Sequence, residues 1–597
     1  TTPGAYSTDS HLGAYVTKMA SNGSSIEYST FLGTVHNYEC DIHVKDGFAY
    51  VTGTTKSDDF PTTSGAFQRD IAGNDGWRDL FVTKLDRTGS SLVYSTLMGG
   101  SQKDQSFDIC LDSGSNAVVC GRTHSSDFNV TPDAMDGTLS GSRDGFILKL
   151  NSDGSDLLYS SYIGGSGEDE ALRCHVDENG HIFVTGWTLS QNFPVTSEAY
   201  DTEYNWGQDV FLTKLDPGLD PIYSTYLGGN GHETVYGLDV DGNGNVFLSG
   251  ETGSSEFPTT SSALSDSLKG TGDIFLSQVS SDGSKLLYSS YIGGYGSDGE
   301  AMVRIDGGSK LIICGYTTSN DFPLTPDAYD DVMVYHGKVC LMVLNRSDMS
   351  LMYSTLFGGS NIDHPHSMAV LNGTDIFFTG LTQSNDYPTT EDAFSNVTNG
   401  GYCDSFVTRF RIPGPPHPPI NLTGELSFES LYLDWDPPEG DVGSAITDYI
   451  VYRGLDEESI SYLGRTDLDT HYTDERVVNG VNYYYQIRAE NRMGISCPSA
   501  TYYLDDCICP CLVEDRSSGS ATTGDPFDFY LEVSDNTKTT DVRVNYRFGD
   551  SEIRNITMEG GSGSVWASTI MVPHDISRSL NYTFSGCDAY GNWFLSN

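Results

Sequence analysis

A phrase of three residues, Tyr followed by Ser and then by Thr or Ser, recurs six times at intervals of about 65 residues. It begins at Tyr28, Tyr94, Tyr159, Tyr223, Tyr288 and Tyr353. A period this regular indicates one supersecondary unit copied in tandem. Each period holds four short runs rich in β-branched and aromatic residues, separated by Gly, Asp and Ser, which is typical of strands and tight turns. The sequence therefore predicts blades of four antiparallel strands stacked around an axis, a β-propeller.

The number of strands of each kind sets the expected number of blades. We name the four strands of a repeat A to D in chain order. The A, B and D patterns occur six times each, whereas the C pattern occurs seven times, first at Tyr15-Val16-Thr17-Lys18. Six innermost A strands predict a six-bladed ring, in which the D strand at Tyr28 completes the sixth blade.

Residues 1–20 then form a surplus N-terminal strand with its leader. Two alternatives remain open for it. The strand can add to its own ring, or it can be donated to a neighbouring molecule by β-augmentation and join subunits head to tail. The opening residues, Thr1 to Tyr6, resemble the middle of a repeat, so we expect the sequence to start at a processing site.

Three motifs recur in fixed order in the repeats. Each B strand ends in Gly-x-Thr-x-Ser followed by an aromatic residue and usually Pro, as from Gly250 to Pro258. With the C motif at Asp79 to Leu85 and the D motif at Tyr223 to Gly229, this pattern resembles the SBBP family of β-propeller repeats over residues 1–413. The resemblance implies seven blades, and the count of A strands departs from it. A motif present in every repeat predicts a structural role, with hydroxyl groups that satisfy turn backbone.

The period ends at a stiff linker, Pro415 to Pro419. Residues 414–505 resemble a fibronectin type III domain, in which Trp435 would lie in the core and Tyr483 would be the corner tyrosine. Residues 506–597 alternate as a second sandwich and resemble Ig-like modules of archaeal cell-surface proteins. The predicted fold class is all-β, a six-bladed propeller followed by two β-sandwiches, and further domains are expected in a longer precursor.

The cysteines are the first set of candidate sites. Cys110 and Cys120 lie on one predicted A–B hairpin, and Cys314 and Cys340 lie on neighbouring B and C strands, so each pair is a candidate disulfide. A second group could staple the two sandwiches through disulfides or, alternatively, bind zinc or copper through thiolates. This group comprises Cys497, Cys507, Cys509, Cys511 and Cys587.

A second candidate site is a short acidic stretch. Asp239, Asp241 and Asn243 resemble the start of a calcium loop, but Gly250 stands where the closing Glu of an EF-hand is required. A hairpin turn is the alternative interpretation. The sequence predicts no cofactor, with structural calcium at this stretch as the alternative.

Charge and sequons bear on location and partners. The formal charge is −50, from 82 acidic and 32 basic residues, and no basic stripe for nucleic acid is present. No apolar run is long enough to span a membrane as a helix. With the acidity, the Asn-x-Ser/Thr sequons favour an extracellular, glycosylated protein. The candidate glycosylation sites are Asn22, Asn345, Asn372, Asn396, Asn421, Asn555 and Asn581.

No nucleophile elbow, P-loop or zinc-protease helix is found in the sequence, so an enzyme is not expected. The first hypothesis is a structural subunit of a cell-surface layer or filament, archaeal in type, whose main partner is itself. The second is a surface-adhesion propeller that binds glycan or another cell-surface protein. Its contact residues would be aromatic residues of the long B-to-C loops, Trp187, Tyr204 and Trp206.

Overall fold

The computed structural model describes residues 1–595 except 10–12, 36–39, 74–77, 372, 399, 428–429, 441–443, 479–480, 505–510, 516, 518–525, 535–538, 550, 561–564, 573–578 and 589–592. Within these ranges the chain forms strands, turns and loops and contains no helix, so no described helix could cross a membrane. The chain divides into two compact units, Thr1–Ile412 and Pro413–Asn597. The all-β prediction is confirmed for the described residues.

The first unit consists of a hairpin and six sheets. The N-terminal hairpin comprises β1 (Gly13–Met19) and β2 (Ile26–Thr34). Sheet 1 comprises β3 (Cys40–Lys45), β4 (Phe48–Thr55), β5 (Asp79–Leu85) and β6 (Leu92–Met98). Sheet 2 comprises β7 (Asp104–Leu111), β8 (Ala117–Thr123), β9 (Asp144–Leu150) and β10 (Leu157–Ile163). Sheet 3 comprises β11 (Asp169–Val176), β12 (Ile182–Thr188), β13 (Asp209–Leu215) and β14 (Pro221–Leu227).

The remaining sheets of this unit follow the same order. Sheet 4 comprises β15 (Glu233–Val240), β16 (Val246–Thr252), β17 (Asp273–Val279) and β18 (Leu286–Ile292). Sheet 5 comprises β19 (Asp298–Ile305), β20 (Lys310–Thr317), β21 (Lys338–Asn345) and β22 (Leu351–Phe357). Sheet 6 comprises β23 (Asp363–Leu371), β24 (Asp375–Thr382) and β25 (Asp404–Arg411). Sheets 1 to 5 are therefore four-stranded antiparallel meanders in the order A, B, C, D, and sheet 6 has A, B and C.

Consecutive sheets pack face to face through apolar side chains. Leu80 and Val82 of β5 lie with Ile109 of β7 and Val119 of β8 in one core that spans sheets 1 and 2. Because each central strand has a neighbouring sheet on both sides, B and C strands are buried at successive positions and lose the two-residue alternation. Each fully buried aliphatic side chain contributes about 1.5–3 kcal/mol to these contacts.

The Gly-x-Thr-x-Ser motif binds a buried carboxylate of its own sheet. In sheet 2 the Thr123 hydroxyl donates to Asp104, and Ser125 Oγ donates to Asp104 Oδ2 at 2.9 Å. The backbone N–H of Gly100 donates to the same oxygen at 2.8 Å. The motif serine bonds the first acidic residue of the A strand in the same way in sheets 3 to 6, in the pairs Ser190–Asp169, Ser254–Glu233, Ser319–Asp298 and Ser384–Asp363. The motif thus fixes the start of the A strand.

The strand at Tyr28 does not complete the sixth blade, and this part of the prediction is wrong. Among the strands that the structure describes, β2 pairs with β1 alone, and sheet 6 remains three-stranded. A short turn separates β1 from β2, so the two strands pair as a local hairpin. The surplus strand of residues 1–20 is therefore paired within its own chain.

The second unit contains two pairs of antiparallel sheets. In the first pair, β26 (Ile420–Ser427), β27 (Ser430–Asp436) and β30 (His471–Asp474) form one sheet. The other sheet comprises β28 (Asp448–Gly454), β29 (Ser461–Arg465), β31 (Tyr483–Asn491), β32 (Gly494–Ile495) and β33 (Tyr502–Leu504). Trp435 lies in the shared core as predicted, and Tyr483 Oη accepts a hydrogen bond from the backbone N–H of Val478 at 3.4 Å.

The second pair follows in the chain. One of its sheets comprises β34 (Cys511–Asp515), β35 (Pro526–Ser534), β38 (Glu559–Gly560) and β39 (Val565–Met571). The other comprises β36 (Thr539–Phe548), β37 (Arg554–Thr557), β40 (Leu580–Asp588) and β41 (Trp593–Leu595). Phe529, Val544 and Phe584 are buried in the core of this pair.

Candidate functional site

The position of the N-terminal hairpin follows from a hydrogen bond that recurs between consecutive sheets. The Phe67 N–H, in the B-to-C loop of sheet 1, donates to the carbonyl of Gly154 in the C-to-D turn of sheet 2 at 3.0 Å. The Phe394 N–H, in the B-to-C loop of sheet 6, donates in the same way to the carbonyl of Gly23 at 3.1 Å. Gly23 lies in the turn between β1 and β2, so the hairpin stands where the C and D strands of the sheet after sheet 6 belong.

The opposite side of the hairpin contacts sheet 1. Between sheets 1 and 2, the ring of Tyr94 covers Gly154, which has a φ of 70°. The ring of Tyr28 covers Gly89, with a φ of 68°, in the same way, so a Cβ could not be added there. The hairpin therefore lies between sheet 6 and sheet 1, as the C and D strands of a position of its own.

The first seven residues complete this correspondence. In sheet 1 the B-to-C loop wraps the D strand through Thr63 N–H to Ser95 O at 2.9 Å. Around β2, Thr2 N–H donates to Ser29 O at 3.1 Å, and Phe31 N–H donates to Ser7 O at 3.1 Å. Residues 1–7 thus act as the end of a B-to-C loop, in agreement with their resemblance to the middle of a repeat.

The hairpin has no A or B strand beside it among the described strands, and apolar side chains of sheet 1 are exposed as a result. Ile42 and Val44 of β3 are 49% and 63% exposed. Their counterparts in sheet 2, Ile109 and Leu111, are 2% and 9% exposed because they pack against sheet 1. Strands in the A and B places of this position would cover Ile42 and Val44.

The same exposure is found on the side of sheet 6. Val407 of β25 is 57% exposed, whereas its counterpart Val82 is fully buried. Tyr15 of β1 is 56% exposed where its counterpart Phe81 is fully buried, and its hydroxyl lies 3.0 Å from Ser405 Oγ. We call this half-filled position, lined by Tyr15, Ile42, Val44 and Val407, the open strand position.

The polar groups near the open strand position are partly neutralised. Asp41, next to Ile42, is half-buried beside Asp108, and its desolvation together with that carboxylate raises its pKa to about 7. Burial also lowers the pKa of His43. On β24, hydrogen bonds from Arg409 and Arg411 hold the pKa of Asp375 at about 2. On these strands, few charged side chains without a compensating partner therefore lie beside the apolar residues of the open strand position.

The predicted assembly strand, Tyr15 to Lys18, pairs with β2 of its own chain, and its donation to another molecule stays a prediction. In β1, Val16 pairs with Thr30, Thr17 Oγ lies 2.8 Å from Ser29 Oγ, and Lys18 Nζ lies 2.6 Å from Glu27 Oε2. The segment is engaged by its own chain because β2 offers a complete antiparallel partner.

The predicted disulfides within sheets do not form. Cys110, Cys120, Cys314 and Cys340 are free thiols. Cys314 pairs with Leu341, and Cys340 with Gly315, so the two cysteines point to opposite faces of sheet 5. A bulge between Ser106 and Asp108 places Cys110 opposite Val118 and diagonal to Cys120, whereas its Sγ lies 3.2 Å from that of Cys174 in sheet 3.

Most of the other candidate cysteines lie outside the residues that the structure describes. Cys497 is an exposed free thiol. Residues Cys507 and Cys509 lie outside the described residues, as do the side chains of Cys511 and Cys587.

The acidic stretch from Asp239 to Asn243 forms a hairpin turn. Asp241 Oδ1 accepts the backbone N–H groups of Asn243 and Asn245, both at 2.9 Å. Asp239 lies on β15 and accepts the N–H of Ile305 at 2.8 Å. The structure does not bring the carboxylates of Asp239 and Asp241 together on a shared ligand position, because each is bonded to a different backbone segment.

The candidate glycosylation sites are accessible where the structure describes them. The exposed sites are Asn22, Asn396, Asn421, Asn555 and Asn581, and Asn345 is half-buried. Asn372 lies outside the described residues. Glycosylation stays a prediction.

The three aromatic residues suggested as contacts for a glycan or protein differ in their surroundings. Trp187 is buried beneath the guanidinium of Arg143, whose Cζ is 5.2 Å from the ring centroid. Tyr204 is half-buried and donates to the carbonyl of Gly207, so both residues act as loop anchors. Trp206 alone of the three is exposed, at 83%.

Comparison with known proteins supports the repeat. Residues 222–258 match the SBBP family model, described as a beta-propeller repeat. The first unit therefore contains a β-propeller repeat. The SBBP part of the predicted resemblance is confirmed over this segment.

Two curated relatives overlap the chain in part. The regulatory protein FlaEY of Caulobacter vibrioides is 24% identical over 368 residues, which is 59% of this chain and 37% of that protein. Titin of Drosophila melanogaster is 33% identical over 91 residues, which is 15% of this chain and 0% of that protein. The chain thus spans well under half the length of either relative.

Solved structures with fibronectin type III-like domains also match part of the chain. A Fn3-like protein from Clostridium thermocellum is 25% identical, with 15% of this chain and 92% of that chain covered, at a TM-score of 0.14. The FN1–FN3 domains of chicken CNTN1 are 18% identical, with 31% and 65% covered, at a TM-score of 0.17. The resemblance of residues 506–597 to archaeal Ig-like modules stays a prediction.

Proposed function

We propose that the protein is a structural subunit of an extracellular, cell-surface assembly, and that its open strand position accepts β-strands from a neighbouring polypeptide. The observation that carries the proposal is the exposure of Ile42, Val44 and Val407, whose counterparts in complete sheets are buried. In this proposal the first unit is a propeller with seven positions in place of the predicted six blades. The N-terminal hairpin is its incomplete seventh position.

The strands that would complete the open strand position can be named. Among the described strands, sheet 6 has no D strand and the next position has no A or B strand. In the order of the repeat these three strands are consecutive, so a single segment with the repeat pattern can fill them. β-Augmentation would satisfy the open edges of β25 and β1 by main-chain hydrogen bonds, and the exposed apolar residues would supply specificity.

The open strand position offers apolar surface to an incoming strand. Ile42, Val44 and Val407 are 49%, 63% and 57% exposed, so their burial would add to main-chain pairing in favour of the contact. The incoming strands also remove an edge that would otherwise pair without specificity. The acidic surface, the exposed sequons and the sandwich modules support an extracellular location for such a subunit.

The test uses the full chain and a peptide with the sequence of residues 233–252, the A–B hairpin of sheet 4. We expect saturable binding in calorimetry, because this hairpin carries the pattern that is missing. Ile42→Asp should weaken binding about tenfold or more, since about 1.4 kcal/mol corresponds to tenfold. The matched control is Leu287→Asp, an exposed apolar residue on the outer D strand of sheet 4, which should leave binding unchanged.

A second candidate function has its own observation. Four aromatic side chains at the end of the sheets that carries the B-to-C and D-to-A loops are 80–94% exposed, namely Trp206, Tyr295, Tyr335 and Tyr402. Exposed aromatic rings are suited to stacking on sugar rings or on protein side chains. A glycan array with the intact chain tests this function, and loss of a signal in Trp206→Ala would support it, whereas the absence of any signal would remove it.

A further inference from the structure

A cluster of thiols and a carboxylate lies between sheets 2 and 3, on strands that come from both. Asp108 is on β7, Cys120 on β8 and Cys174 on β11. One side-chain ligand atom from each of these residues lies within 4.8 Å of the other two. Cys110, also on β7, places its Sγ 3.2 Å from Cys174 Sγ. Cys120 and Cys174, from different sheets, therefore lie near one carboxylate, and Cys110 adjoins Cys174.

The three cysteines are buried, and Asp108 is half-buried. Cys120 is fully buried, and Cys174 and Cys110 are 7% and 8% exposed. Carboxylates and thiolates are costly in such a place unless a partner compensates their charge. A bound cation would compensate these charges.

The thiols replace ordinary residues of the repeat. The residue before the B-strand glycine is Thr52 in sheet 1 and Ser249 in sheet 4, and each hydroxyl bonds the A strand of the next sheet. Cys120 occupies that position in sheet 2 and is directed toward the A strand of sheet 3, where Cys174 stands. The blade architecture forms without thiols here, so their convergence is specific to the junction of sheets 2 and 3.

The sulfur atoms of Cys110 and Cys174 lie 3.2 Å apart. A disulfide requires sulfur atoms about 2.05 Å apart. Tetrahedral zinc with Zn–S distances of about 2.3 Å places its ligand atoms roughly 3.8 Å apart. The pair is therefore not bonded, and a small opening of the two side chains would give the spacing of zinc ligands.

The carboxylate is held in position by backbone donors. Asp108 Oδ2 accepts the N–H of Cys174 at 2.7 Å, and Oδ1 accepts the N–H of Ile109 at 3.1 Å. Such outer-shell bonds orient a ligand before the metal arrives. The bond to Cys174 also ties the carboxylate to the backbone of the neighbouring sheet.

We propose that Asp108, Cys120 and Cys174 bind a zinc ion, with Cys110 adjoining as the fourth ligand after a small side-chain movement. Thiolates with one carboxylate suit Zn²⁺ better than calcium or magnesium, which prefer all-oxygen sites. Because the ligands come from three strands in two sheets, the ion would tie sheet 2 to sheet 3. This site is independent of the open strand position.

The experiment loads the intact chain with Co²⁺ and Zn²⁺ separately after chelation and dialysis under reducing conditions. We expect a single equivalent of zinc by elemental analysis and the visible absorption of tetrahedral, thiolate-bound Co²⁺. Cys174→Ser and Cys120→Ser should lose both signals. Cys314→Ser, at the same B-strand position in sheet 5 and also fully buried, should retain both.

A measurement on the unaltered chain covers the case in which a variant fails to fold. Bound zinc should protect Cys174 from alkylation in peptide mapping, whereas Cys497, exposed in the second unit, should react at the same rate with and without zinc. Two results would overturn the proposal. One is a Cys110–Cys174 disulfide in non-reduced native protein, and the other is metal stoichiometry and alkylation that do not respond to zinc.

Discussion

The backbone N–H of Phe394 donates a hydrogen bond to the carbonyl oxygen of Gly23, 3.1 Å away, although the two residues are more than 370 positions apart in the chain. This bond repeats the contact that links the B-to-C loop of one sheet to the C-to-D turn of the next. It places the N-terminal hairpin after sheet 6, as a separate position, and the contact of Tyr28 with Gly89 places the same hairpin before sheet 1. The open strand position follows from these two contacts.

The anchoring of the hairpin can be tested with Tyr28→Ala. Tyr28 is 7% exposed and packs over Gly89, and truncating a buried aromatic residue costs about 3–5 kcal/mol. We expect amide hydrogen exchange in residues 13–34 to accelerate more than in sheets 2 to 5. Tyr432→Ala, which removes a half-exposed tyrosine of β27, is the control and should leave exchange of the hairpin unchanged. Uniform protection in both variants would contradict the proposed anchor.

Stability should fall as pH rises from 5 to 8. Burial raises the pKa of Asp79, Asp104 and Asp209 to about 7, above the value near 3.8 of an unfolded aspartate. The folded state therefore binds more protons than the unfolded state between these values. The resulting stability is fully present below about 3.8 and is lost as pH rises through about 7. Thermal unfolding should show a higher Tm at pH 5 than at pH 8.

A variant separates this effect from general charge repulsion, which also weakens at low pH. Asp79→Asn removes one buried titrating group, so the difference in Tm between pH 5 and pH 8 should shrink. Asp58→Asn, in the exposed part of the B-to-C loop of sheet 1, should preserve the difference. An equal pH dependence in all three proteins would count against the buried carboxylates as its source.

The Gly-x-Thr-x-Ser motif should be important for stability in each sheet. Ser125→Ala removes a hydroxyl that donates to Asp104 and accepts the N–H of Gln102 at 2.8 Å. Leaving such buried partners unsatisfied costs about 1–3 kcal/mol. Chemical denaturation should report this loss for Ser125→Ala and almost none for Ser113→Ala, an exposed turn residue of the same sheet. A neutral Ser125→Ala would show that the motif does not hold the A strand.

The two cysteines of sheet 5 should be free thiols. Cys314 and Cys340 face opposite sides of the sheet and are fully buried, so they should react with an alkylating reagent only after denaturation. Peptide mapping without reduction measures this directly. A linked Cys314–Cys340 peptide would disprove the assigned register.

Much of the fold could be predicted from the sequence because the same local pattern of strands and turns occurs in every repeat. The C motif at Tyr15 to Lys18 and the D motif at Tyr28 both form strands where the pattern indicates. Their place in the unit could not be read from strand counts, because it depends on long-range contacts such as Phe394 with Gly23. The resemblance of Thr1 to Tyr6 to the middle of a repeat was the one local signal.

The thiol cluster was missed for a related reason. Sequence spacing suggested a bridge from Cys110 to Cys120, since both lie on one hairpin. The bulge after Ser106 changes which residues of β7 and β8 lie opposite each other, and packing of sheet 3 brings Cys174 to the same place. Cys120 occupies the position of Thr52 and Ser249 in its own repeat. An alignment of the repeats was the one sequence signal that the Cys120 side chain faces the next sheet.

The most direct test of the open strand position is an electron cryo-microscopy map of the assembly isolated from its native source. We expect strand density from another polypeptide segment beside β3, covering Ile42 and Val44, and a strand paired with the free edge of β25. A monomeric particle in which these residues face solvent and β1 and β2 stand as a two-stranded hairpin would contradict it.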